Sequence, residues 1–276
     1  MGVVKFFFRF LKTFLYFCIF IFMHKHDNKQ LIFGLHPVIE AINSGREISK
    51  ILMRKGLEGN ISSLIREHDI PYQVVPVEKL NRVTRKNHQG LIAFVSPVEF
   101  ARLEHLVPML FELGESPFIV ACDGITDVRN IGAVARSAEC SGAHAILLPS
   151  HGTAMISSDA VKSSAGALNH LSVCRTDNLK STLVFLKNSG LKIIATSEKS
   201  DSIYYNCDLT PPVVLLLGGE DSGISPQIKK LADHTVKIPV KGKISSFNVS
   251  AAGAVIMCEI SKQASSFSAT IDSRSN

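Results

Sequence analysis

Three segments of this sequence set amide, carboxylate, guanidinium and hydroxyl groups just beyond an apolar run, the place where open α/β sheets bind ligands. The first, DGITDVRNIGAVARSAECSG (123–142), follows the strand-like FIVACD. Asn130 has the side chain of a helix N-cap, Gly132 falls in the first turn, and Arg136 lies six residues beyond Asn130. Arg136 sits among Ala133, Val134, Ala135 and Ala138, so it projects from a small-residue helix that can pack closely. Asp123, Asp127 and Arg129 add to the polar concentration. A capped helix with a solvated arginine would account for the segment taken alone.

The second segment is LLLGGEDSGIS (215–225), in which Gly218 and Gly219 permit close backbone approach and Glu220 directly follows the strand. A dinucleotide site needs Gly-x-Gly-x-x-Gly after an early strand, and a Walker loop needs Gly-Lys-Ser/Thr; neither is present. The third is IPVKGKISSFNVSAAGAVIMCEI (238–260). Asn248 or Ser246 can cap its helix, and NVSAAGAV gives that helix a face of small residues suited to tight packing. Each of these segments also reads adequately as ordinary structure.

The elements that must position these groups fall into two α/β units. From Leu31 to Pro97, LIFG, ISKILMRK, PYQVVPV and LIAFVSP read as four strands, with HPVIEAINSG and NISSLIREHD as helices. Residues 98–117 contain an amphipathic stretch interrupted by Pro108 and are expected to connect the units. From 118 to 265, continuous apolar strands alternate with helices, which implies a parallel sheet covered on both faces. Residues 266–276 are polar and are expected to be a disordered tail.

Composition excludes more than it selects. The formal charge is +6, but residues 1–29 contribute Lys5, Arg9, Lys12, Lys25 and Lys29 against Asp27. Any phosphate-binding surface must therefore be a local patch. The clearest is Arg82, Arg85, Lys86 and His88 in the first unit. The six cysteines form no Cys-x-x-Cys pair and no zinc-ligand spacing, so no metal is expected and reduced thiols in a cytoplasmic protein are the simplest reading. Residues 1–29 form an extra N-terminal segment in which Phe6–Phe22 is strongly apolar. Its uninterrupted stretch is short for a membrane span and no signal-peptidase site follows. A third reading is translated AT-rich upstream DNA, with Met23 as the true start.

Together, in order and spacing, the three segments resemble the signature motifs of the SpoU (TrmH-type) family of RNA ribose 2′-O-methyltransferases in the SPOUT superfamily. The matching residues are Asn130, Gly132, Arg136 and Ala138, then Gly218, Glu220 and Gly223, then Ile238, Pro239, Gly242, Ser246, Asn248, Val249 and Ser250. LIFGLHPVIEAI, NHQGLIAF and VKSSAGALNHLSVCRTDNL resemble the ribosomal-RNA branch, extending the likeness over about residues 31–262.

The resemblance implies a C-terminal parallel-sheet methyltransferase domain with a trefoil knot, and a small N-terminal L30e-like α/β domain (30–97) that binds substrate. It also implies a homodimer packed through the knot, with S-adenosylmethionine bound there against Gly218, Ile238 and Phe247. Phe247 departs from the leucine usual at its position, which keeps an apolar wall but adds bulk. Arg136 would be the catalytic candidate. A guanidinium stays protonated, so holding a phosphate or stabilising a developing alkoxide suits it better than general-base work. Asn130 and Glu220 would orient it and the active-site turn, while Ser246 and Asn248 would complete the ribose-side contacts. The expected substrate is a guanosine of 23S ribosomal RNA or a large-subunit precursor. Transfer RNA, a resistance-type target, a non-catalytic RNA-binding assembly factor and a membrane-anchored protein are the alternatives.

Overall fold

The computed structural model describes residues 31–220 and 222–274. The expectations for residues 1–29 lie outside the described residues. Among the described residues no helix is long and apolar enough to cross a membrane.

The first unit is a four-stranded sheet of β1 (Leu31–Phe33), β2 (Ile48–Met53), β3 (Tyr72–Val74) and β4 (Leu91–Val95), in the order β1-β4-β2-β3. β4 runs antiparallel to β1 and β2, whereas β3 is parallel to β2. Two helices, α1 (Leu35–Asn43) and α2 (Glu58–Glu67), pack Val38, Ile42, Ile61 and Ile65 against one face, where Ile51, Met53, Leu91 and Ala93 lie buried. The short α3 (Val77–Val83) covers the other face through Leu80, against Leu52, Val75 and Ile92.

The stretch expected as a connection is built into the second unit. Phe100–Ala101 forms β5, which pairs in parallel with a strand of the large sheet, and Leu103–Glu112 forms α4. Leu103, Leu106, Val107 and Leu110 recur at helical spacing and bury against that sheet. Pro108 faces solvent within the helix, where its missing N–H breaks one hydrogen bond without a clash in the core.

The large sheet adds β6 (Phe118–Asp123), β7 (Ala145–Pro149), β8 (Ser172–Thr176), β9 (Lys192–Thr196), β10 (Val213–Gly218) and β11 (His234–Val236). All its pairs are parallel, in the order β11-β9-β10-β6-β7-β8-β5. The strands read as unbroken apolar runs because both faces are covered. Along β6, Phe118, Val120 and Cys122 enter one core, and Ile119 and Ala121 enter the other. β10 divides its residues likewise, with Val213, Leu215 and Leu217 opposed to Val214 and Leu216. The first core is closed by α5 (Val128–Cys140), α6 (Ser158–Ser163) and the final helix α9 (Val249–Arg274). The second is closed by α4, α7 (Leu179–Asn188) and α8 (Pro226–Lys229).

Two glycines allow the first layer its close packing. A Cβ on Gly132 would lie 2.5 Å from Ser163 Cβ, and one on Gly253 would lie 2.9 Å from Leu217 Cδ1. The expected tail is also corrected: α9 continues to Arg274, since QASSFSATIDSR contains neither proline nor glycine to stop it.

Candidate active site

Parallel strands deliver their carboxyl ends to one edge, and three of them build the site. At the centre β6 ends at Asp123 beside Gly218, the last residue of β10. Asp123 then shapes the neighbouring loop: its carbonyl accepts from Gly219 N at 2.8 Å and its Oδ2 from Ser225 N at 2.8 Å. Gly223 N closes the loop onto Gly219 O at 2.8 Å. A Cβ on Gly218 would stand 2.3 Å from the backbone carbon of Gly223, so only glycine fits there. What the sequence offers as a Gly-Gly turn is a folded-back loop that presents Glu220 at the surface.

Glu220 is met from two sides. Its Oε1 accepts from Asn130 Nδ2 at 3.1 Å and from Asn248 Nδ2 at 2.5 Å, while Asn248 Nδ2 also reaches Asn130 Oδ1 at 3.1 Å. The other end of Asn248 starts α9, its Oδ1 accepting from Ser250 N at 3.0 Å and Ser250 Oγ at 2.6 Å. Asn248, not Ser246, is therefore the capping residue. The expectation for Asn130 is corrected. Asp127 caps α5 by accepting from Arg129 N at 2.8 Å, which leaves the Asn130 side chain free to reach Glu220. The hydrogen bonds from Arg129 also hold the Asp127 carboxyl below its ordinary pKa.

Beside this cluster lies a cleft of about 580 Å³, within the range of small-molecule sites. Gly218, Glu220, Ile238, Ser246, Phe247 and Asn248 all line it, so six of the expected site residues are brought together. Leu217, Ile238, Val240, Phe247 and Ile256 give it apolar walls, with Phe247 itself 48 % exposed. Thr196, Ser197 and Lys229 form a polar side that the motifs missed. Lys229 Nζ donates to Ser197 Oγ at 2.8 Å, and Thr196 Oγ1 to Leu216 O at 3.1 Å. The strand-end rule applied to LKIIATS would have found Thr196 and Ser197. Apolar walls with polar groups at one side suit a ligand with a flat heterocycle and a charged tail, as S-adenosylmethionine has.

Arg136 stands apart. It is exposed on α5, does not line the cleft, and has no hydrogen bond or ion pair to Asn130, Glu220 or Asn248 among the described residues. The thiols take no part: burial pushes Cys122 and Cys174 up to about 12. No group of His, Cys, Asp or Glu able to hold a metal occurs among the described residues.

In the first unit Arg82, Arg85 and Lys86 are exposed at the end of α3 and in the loop after it, with Lys86 Nζ 5.7 Å from the Phe33 ring centre. His88 does not join them, contrary to expectation. Its ring is buried, with Nδ1 accepting from Gly90 N at 2.9 Å and Nε2 bonded to Asn81 Oδ1 at 2.9 Å. Both ring nitrogens serve the loop's own fold, so none remains for a ligand.

A cleft at the carboxyl edge of a parallel sheet, beside a clustered amide–carboxylate joint, and a second small α/β unit define a two-unit α/β protein with room for a small-molecule cofactor. The comparisons agree. Residues 117–258 match the SpoU rRNA methylase family, and residues 31–101 match the RNA 2′-O ribose methyltransferase substrate-binding domain. The chain is 32% identical over 240 residues to a Bacillus subtilis protein named for the TrmH family of tRNA/rRNA methyltransferases, covering 86% of this chain and 95% of that one. A Staphylococcus saprophyticus protein named for the same family is 31% identical over 234 residues, covering 83% and 94%. The SpoU methyltransferase AviRb of Streptomyces viridochromogenes, solved in complex with AdoMet, superimposes with a TM-score of 0.56 at 25% identity, covering 90% of this chain and 97% of that one. The chain belongs to the SpoU rRNA methylase family and is an RNA 2′-O-methyltransferase.

Proposed function

We propose that this enzyme methylates the ribose 2′-hydroxyl of a guanosine in 23S ribosomal RNA or a large-subunit precursor, and does so as a homodimer with a knotted C-terminal domain. The observation that carries the site assignment is the convergence of Asn130, Glu220 and Asn248 at the mouth of the cleft. S-adenosylmethionine supplies an electrophilic methyl on its sulfonium. Gly218, Ile238 and Phe247 hold it, and the polar side formed by Ser197 and Lys229 is suited to its charged tail.

The chain's own groups then have to place the hydroxyl in line with that methyl and ease the loss of its proton. Glu220 ties the two asparagines together and so shapes the cleft mouth. Ser246 contacts the ribose, while Asn248, whose amide is committed to Glu220, Asn130 and Ser250, holds the start of α9 beside it. Arg136, permanently charged and exposed, holds a substrate phosphate or stabilises the developing alkoxide. Its separation from the cluster fits a dimeric site, and so do the exposed apolar residues Val240, Ile244 and Phe247, with Ile244 at 76 % exposure. Arg82, Arg85 and Lys86 bind the RNA backbone at a distance from the chemistry.

The test is to incubate the enzyme with labelled cofactor and separately with ribosomal and transfer RNA lacking the modification, then map the label by primer extension. One labelled guanosine in large-subunit RNA is expected. Label confined to transfer RNA would reject the substrate, and cofactor binding without transfer to either would favour a non-catalytic RNA binder. Sedimentation tests the dimer, and a monomer at working concentration would reject it.

A further inference from the structure

Arg175 is the penultimate residue of β8, and its guanidinium leaves the large sheet for the small one. Nη1 donates to Ile48 O at 3.1 Å and Ser49 O at 3.4 Å, and Nη2 donates to Asp69 O at 3.2 Å. Ile48 and Ser49 open β2, whereas Asp69 lies in the turn between α2 and β3, so one planar fork gathers carbonyls from two separate segments of the first unit. The guanidinium carbon also sits 4.5 Å from the ring centre of Phe100 on β5, which fixes its plane. Alongside, Ser49 Oγ donates to Ile156 O at 3.4 Å, a second contact between the units. The Glu47 carboxylate faces the same charge; burial raises its pKa and Arg175 opposes that rise.

The place of this contact matters as much as its strength. β8 ends on the edge where β6, β9 and β10 deliver Asp123, Thr196 and Gly218. It lies three strands from β10 and four from β9, whose ends line the cleft, which at about 4.8 Å per strand is on the order of 14 to 19 Å. The small unit is therefore fastened to the edge that carries the cleft, within a few nucleotides' reach of it.

We propose that Arg175 is a positioning residue for methyl transfer: it holds the RNA-binding unit at the carboxyl edge so that the ribose it presents meets the methyl donor. The proposal rests on the function given above. Without the fork three carbonyls lose a charged donor, and the small unit can rock about the segment joining β4 to β5. A lysine brings one point charge and cannot span all three acceptors. RNA stays bound to the small unit and cofactor stays bound in its cleft, but the two are no longer held in register. Misplacement by about 1 Å is enough to lower a rate on the order of 100-fold.

Small-angle scattering and steady-state kinetics on the full chain test this together. For Arg175→Ala the expected results are a larger radius of gyration, a kcat lower by about 10- to 100-fold, an RNA KM within about threefold of wild type and an unchanged affinity for S-adenosylmethionine. Arg175→Lys should fall between. Phe100→Leu, which keeps apolar bulk while removing the ring, guards against a variant that does not fold and should shift kcat in the same direction by less. An unchanged scattering profile, an unchanged kcat, or a parallel loss of cofactor affinity would overturn the proposal. A wild-type enzyme inactive on every RNA would reject the functional reading instead, while the scattering comparison would still decide whether Arg175 clamps the units.

Discussion

Asn130 and Asn248, 118 residues apart, hydrogen-bond to each other at 3.1 Å and both donate to a single oxygen of Glu220. The first turn of α5, the loop after β10 and the cap of α9 thus share one joint. Its members are partly or fully exposed, so its worth to global stability is modest, and its effect falls on the geometry of the cleft mouth.

Removing the shared acceptor should therefore cost activity more than stability. Glu220→Ala is expected to lower kcat by roughly 10- to 100-fold, about 1.4 to 2.7 kcal/mol, with a melting temperature within a few degrees of wild type. Glu220→Gln keeps an acceptor but loses the charge, and should retain intermediate activity. Methyl-transfer kinetics and thermal unfolding on the same preparations check both parts.

Gly218→Ala should behave differently. The added methyl would meet the Gly223 backbone at 2.3 Å, and backbone cannot move aside as a flexible side chain can. The expected result is destabilisation of about 1–3 kcal/mol, together with at least a tenfold weaker affinity for S-adenosylmethionine. Chemical denaturation and calorimetric titration measure the two effects separately.

Arg136 contacts nothing in the cluster, so its replacement should separate binding from chemistry. Arg136→Ala is expected to retain the cofactor affinity of wild type while methyl transfer falls by 100-fold or more, the scale of losing a transition-state donor. Arg136→Lys keeps charge but not the planar fork and should recover only part of the rate. A matching loss of cofactor affinity would mark the residue as structural.

One pH effect is readable. Hydrogen bonds from Lys192 and Thr210 hold the Asp208 carboxyl down at about 2, with Lys192 Nζ 2.7 Å from Oδ2. A depressed carboxylate adds stability that is present above the unfolded value of about 3.9 and is lost as pH falls through the folded value. Asp208 is exposed and Lys192 only partly covered, so the pair's contribution is under about 1 kcal/mol. Asp208→Asn should flatten the acid limb of the stability profile between about pH 4 and 2 and leave stability near pH 7 slightly reduced, as urea unfolding across pH would reveal.

Much of this was legible in the sequence, for identifiable reasons. The runs FIVACD and VVLLLG announced buried parallel strands because both faces of those strands are covered by helices. The second and third motifs announced the cleft because glycine is used there for close approach and asparagine for capping, roles tied to residue type, whereas the first supplies Asn130 to the joint beside it. The misreadings also have physical causes. Pro108 looked like a break, but it sits on the solvent face of α4. His88 looked like part of a basic patch because sequence adjacency hides that its ring turns inward to Asn81 and Gly90. Lys229 and Arg175 carried no local signal, since each acts through partners distant in the chain.

The most direct test of the central claim identifies the bond that is made. The full chain would be incubated with methyl-labelled S-adenosylmethionine and RNA lacking the modification, and the product digested with alkali and with nuclease. A 2′-O-methylated nucleotide has no free hydroxyl to attack the adjoining phosphodiester. The account therefore predicts label in an alkali-resistant dinucleotide that nuclease releases as a 2′-O-methylnucleoside. Label in a base-methylated nucleoside, freed by alkali as a mononucleotide, would contradict it.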